Sequence, residues 1–86
     1  MPANMAAWSI EDVGAWLKTL DYGFDTYARL FVSDHVDGYR LFMCVDRNVL
    51  RDRYKITHEG HQTKILDAIH EAKMIHINAY RHFIRY

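Results

Sequence analysis

Apolar residues recur at helical spacing along most of this chain, and no stretch alternates with the period of two that a half-buried strand requires. Ser9-Ile10-Glu11-Asp12 has the form of a capping box, in which a serine side chain and an acidic one satisfy each other's free backbone N–H. It opens a predicted helix over Ile10–Leu20, with Val13, Trp16, Leu17 and Leu20 as the buried stripe and Trp8 placed to staple onto Val13. A second helix is expected over residues 26–34, capped by Asp25 and burying Tyr27, Leu30 and Phe31. Val36-Asp37-Gly38 is a turn signal feeding a short third helix over residues 39–43. Asp46 is placed to cap a fourth over residues 47–53, with Val49, Leu50 and Tyr54 facing inward.

A long fifth helix is expected from about His58, with Thr57 as N-cap and Ile65, Leu66, Ile69 and Ala72 as its core stripe. Ile77, Tyr80 and Ile84 continue one side of that stripe, so residues 74–86 extend the helix by about three turns. They should meet the N-terminal arm, a neighbouring chain or the rest of a parent protein. Residues 1–7 are expected to form a mobile or loosely docked arm, and residues 8–73 a single all-α domain: four short helices and a long one in a compact five-helix bundle. Gly60 stands out, because a glycine inside a helix costs about 1 kcal/mol relative to alanine and implies a close approach to the first turn.

Charge changes this picture more than composition does. The 86 residues carry eleven cations and eleven carboxylates, so no overall field draws the chain to nucleic acid or an anionic membrane. The balance is uneven along the sequence. Residues 9–46 hold seven carboxylates against three cations, a net of −4, whereas residues 47–64 hold five cations against two carboxylates, a net of +3. The start of helix five adds the positive end of its macrodipole to His58, His61 and Lys64, a composition that suits an acidic partner.

Chemistry is sparse. Cys44, alone in the apolar run 41–45, is read as a small buried core residue rather than a reactive thiol. Six histidines raise a metal site, but His58 and His61 are three apart and His70, His76 and His82 scatter around a helix, with no carboxylate or cysteine set completing a zinc geometry. No nucleophile, base and orienting group are brought together by the pattern. The expectation is therefore a non-enzymatic domain without cofactor or metal. No apolar run approaches the ~18 residues of a membrane span, and a cytoplasmic setting, or alternatively the cytosolic face of a membrane or the nucleus, is the expected context.

The order Trp8-Ser9-Ile10-Glu11-Asp12-Val13, Trp16-Leu17, Tyr27 and Phe31, Val36-Asp37-Gly38, then Gly60-His61 and Lys64-Ile65-Leu66 resembles the sterile alpha motif (SAM) family over about residues 8–73. Two departures are visible. The connection from Leu20 to Tyr27 is slightly long, and Tyr54-Lys55-Ile56 stands where the family commonly has Leu-Gly-Ile, so a bend needing positive φ would strain Lys55. The passage 72–77 is loosely similar to the helix end in the SAM domain of sphingomyelin synthase-related proteins. The resemblance implies an interaction module that associates with SAM domains, its own copies or others, in head-to-tail fashion. An acidic middle surface, here Asp34, Asp37 and Asp46, would meet the basic helix-five start, here His58, Gly60, His61 and Lys64. Arg40 and Arg47 dilute the acidic side. Contacts of this kind yield rings or open helices, because they do not close by symmetry.

Two other functions compete. Some SAM domains, those resembling Smaug, bind RNA hairpins, and Arg47, Arg51, Arg53, Lys55 and Lys64 would supply the basic surface. The patch is only +3 and is interrupted by Asp52 and Glu59, so protein association leads. The aromatic, basic end of helix five suggests lipid or membrane-surface binding, which Asp67 and Glu71 on the same helix oppose.

Overall fold

The computed structural model describes residues 4–83, with side chains through residue 75. A 3-10 turn over Met5–Ala7 leads into α1 (Ile10–Leu20), α2 (Asp25–Ser33), α3 (Gly38–Cys44), α4 (Arg47–Asp52) and α5 (Glu59–Phe83), with no strand among the described residues. The capping box forms as read: Ser9 Oγ accepts from Asp12 N–H and Asp12 Oδ2 accepts from Ser9 N–H, both at 3.0 Å. Val13 and Leu17 are fully buried, with Trp16 and Leu20 packed partly against the same core. The Trp8 ring sits 5.6 Å from that of Trp16. Asp37 and Asp46 cap α3 and α4 through the Arg40 and Val49 N–H groups.

One apolar cluster joins all six elements. Phe24, Phe31, Val36, Leu41, Leu50, Ile56 and Ile65 are each at most 1% exposed. Two left-handed residues steer the chain through this core. His35, at φ +56°, ends α2: its N–H returns to Val32 O and the Val36 N–H to Phe31 O, a Schellman arrangement that tucks Val36 inside. Lys55, at φ +58°, occupies the bend where a glycine was missing, and its strain turns Ile56 inward with the Ile56 N–H on Leu50 O. The slightly long first connection is met by Gly23 at φ +90°, which the glycine adopts at no steric cost.

Several expectations need correction. Asp25 is the first residue of α2 and not its cap; Phe24 holds the cap position without a side-chain bond, since its ring, buried in the core, carries no acceptor. Leu30 is 39% exposed, since Ala28 and Phe31 take the inward positions of a helix only nine residues long. Cys44 is exposed: Leu41 fills the core position of α3, leaving the helix's last residue at the surface. The arm is not loose where it is described. Met5 is fully buried, the Gly38 N–H donates to Trp8 O at 2.8 Å, and a Cβ on Gly38 would overlap the Met5 carbonyl oxygen. Residues 1–3 and 84–86, and the side chains of Ile77 and Tyr80, lie outside the described residues.

Candidate protein-interaction surfaces

The start of α5 is built by histidines. His58 O accepts from the Gln62 N–H at 3.0 Å, the first bond of the helix, so His58 and not Thr57 is the N-cap. Its Nδ1 accepts from the His61 N–H at 3.2 Å, one turn on, where a shorter serine or threonine would ordinarily reach. The His58 ring stacks on the His61 ring at 4.0 Å. A Cβ on Gly60 would lie 3.0 Å and 3.2 Å from the His58 ring atoms. The close approach that Gly60 implied is thus made by the domain's own capping imidazole.

The helix start leans on the α1–α2 turn. His61 Nδ1 lies 2.7 Å from Tyr27 Oη, and its ring is 5.0 Å from Phe24. Lys64 Nζ pairs with Asp21 Oδ2 at 3.1 Å, which together with the Tyr22 N–H holds the Asp21 carboxyl below its usual range. His58, Gly60 and Lys64 are exposed while His61 is half-buried. Beside them Tyr22 stands wholly in solvent, a feature that the pattern of the sequence did not distinguish from any other turn residue.

The three middle-surface carboxylates have different surroundings. Asp34 anchors a network: both of its oxygens accept from Arg53 at 2.8 Å and 2.9 Å, Arg40 reaches it at 3.2 Å, and Tyr54 Oη donates at 2.6 Å. Arg53, then Tyr54 and Arg40, hold the Asp34 carboxyl far below the ordinary carboxylate range. Two guanidinium groups outweigh its single charge. Among the described residues, Asp37 and Asp46 bind only backbone N–H groups in their capping roles, and no cation there pairs with either. Between these two caps α3 displays Tyr39 and Met43, four residues apart and 60% and 59% exposed. No signal in the sequence marks either as a contact residue.

The basic residues are largely committed internally. Arg51 pairs with Asp52, Arg53 with Asp34 and Lys64 with Asp21, while Arg47 donates to Gln62 Oε1 and Thr63 Oγ1. Gln62 in turn is buried and donates to Ile56 O at 2.7 Å, so this pair fastens the α4–α5 bend to the helix. Among the described residues no group of three or more His, Cys, Asp or Glu side chains is arranged to hold a metal ion. No described helix is long and apolar enough to cross a membrane.

A model of the SAM domain (sterile alpha motif) matches residues 6–73, a span that takes in the buried Met5 turn's last two residues and stops ten residues before α5 ends. Neither the curated proteins nor the solved structures contain a match to the chain. The ordered capping signals, five helices around one core and a match over most of the sequence lead to one conclusion: the chain belongs to the sterile alpha motif family, whose members serve in general as protein-interaction modules.

Proposed function

We propose that this domain associates head to tail with SAM domains, its own copies first, through the α5 start of one molecule and the α3–α4 face of the next. The observation that carries this reading is the exposed α3 face, where Tyr39 and Met43 lie between the cation-free carboxylates Asp37 and Asp46. The complementary face offers the helix dipole, His58, Lys64 and the solvent-exposed Tyr22 ring. Apolar contact supplies the affinity, and charge sets register and encounter rate. Asp34 contributes position more than charge, because its network is already electropositive. Raised salt therefore weakens association without abolishing it. The domain performs no catalysis in this reading, and it works on the cytosolic side.

The test respects the caps. Lys64→Glu disables the helix start, whereas Asp37→Asn with Asp46→Asn removes the middle charge and keeps side chains that cap well. Each variant alone should sediment as a smaller species than the unaltered protein. Mixed, they should associate with one another through the one intact surface on each and sediment as a larger species than either alone. Two folded variants that assemble like the unaltered protein, or that fail to pair, remove this interface.

A further inference from the structure

A second apolar surface lies away from both faces. Trp8, Trp16 and Leu20 form one wall of a groove of about 330 Å³, and Ala68, Ala72 and Ile75 of α5 form the other, with Glu71 at the rim. Two alanines four residues apart let another backbone approach closely, while Ile75, 57% exposed, and Met74, 38% exposed, project from the same helix. Residues Ala79 and Phe83 continue the spacing of Ala68, Ala72 and Ile75 along a helix of about 37 Å.

We propose that the occupant is a second copy of this chain, whose α5 packs antiparallel across this groove about a two-fold axis near Met74. Groove and insert lie on one element, so a single two-fold fills both grooves at once, with the bulk of Ile75 against the partner's small Ala68–Ala72 floor. Charge selects the direction. Before the axis, residues 59–73 carry Glu59, Asp67 and Glu71 against Lys64 and Lys73, a net of −1, while residues 76–83 carry Arg81 and no carboxylate. Antiparallel helices set the acidic half of one against the basic half of the other, and parallel helices would set like against like. This contact uses none of the residues of the head-to-tail interface, and unlike that interface it closes.

The two are separated by working in the Asp37→Asn, Asp46→Asn, Lys64→Glu triple variant. It should still sediment as a dimer, twice the 10.2 kDa chain. Adding Ile75→Glu, at an exposed position that leaves helical circular dichroism intact, should weaken dimerisation at least about tenfold. With the exposed Cys44 changed to Ser, Met74→Cys should cross-link into a disulfide dimer under mild oxidation, and Thr26→Cys should not. A monomeric triple variant, a dimer indifferent to Ile75→Glu, or a Met74→Cys protein that does not cross-link overturns the proposal.

Discussion

Tyr54 and Asp34, twenty residues apart, share a 2.6 Å hydrogen bond that ties the end of α4 to the end of α2. The Tyr54 ring also stacks on Phe31 at 4.4 Å, so the phenol is held from its face and from its tip. Burial first, and the bond to Asp34 second, push the Tyr54 hydroxyl up to about 12.

Both partners make stability depend on pH, at opposite ends of the scale. The Asp34 value is lowered by folding, so its contribution is full above about pH 4 and is lost as the pH falls below that. The Tyr54 value is raised, so its contribution is full below about pH 10 and is lost as the pH rises toward 12. Tyr54→Phe should cost about 1 kcal/mol at neutral pH and flatten the alkaline limb of a denaturant-midpoint profile. An alkaline limb unchanged by the substitution would assign that slope elsewhere.

His58→Asp should stabilise the domain by about 0.5–1 kcal/mol, because a carboxylate caps a helix better than an imidazole and complements its dipole. The same change should weaken head-to-tail association by placing a negative charge on the helix start. Thermal melting and sedimentation would therefore move in opposite directions, a pairing that a purely structural role for His58 does not produce.

Gly38→Ala should cost about 3 kcal/mol or more, since the added methyl meets the Met5 carbonyl and the Trp8 backbone and neither is free to move. The loss should appear as a lower denaturation midpoint together with altered tryptophan fluorescence from Trp8. An alanine variant as stable as the parent would mean that the Met5 turn does not sit on α3.

Lys55→Gly should raise stability by roughly 0.5 kcal/mol. Relief of a left-handed lysine is worth about 1–2 kcal/mol, and the greater freedom of glycine in the unfolded chain offsets part of it. Chemical denaturation measures the difference directly.

The elements legible in the sequence are those whose signals are local. Ser9 with Asp12, and Asp46 ahead of Val49, announce helix starts within three residues, and those starts are where the structure has them. The strain at Lys55 was also readable, because a bend of fixed hand was expected where no glycine stood. Leu30 and Cys44 were misread because a helix of two turns offers too few positions for periodicity to say which apolar neighbour turns inward. His58 was missed as a cap because imidazole is uncommon there, although a histidine three residues ahead of another at a helix start was in view. Nothing local tells that Arg53 and Arg40 converge on Asp34, or that Asp21 waits for Lys64; those pairs exist only once the helices are assembled. The charge split survives in the fold, but much of it is spent inside the domain.

The buried Met5 turn sets an order of events. Its side chain is buried and its turn packs against α3 and α5, so a residue that precedes α1 is enclosed by a helix made after the other four. α1 and α2 can pair as a hairpin soon after synthesis, but the seat of Met5 forms only when a loop of about 60 residues closes. Completion of the core is therefore a late, non-local step, and until it occurs Trp8 and its neighbours have no roof. A ribosome paused before Ile65 would hold a chain whose first helices are formed and whose N-terminal turn is still searching.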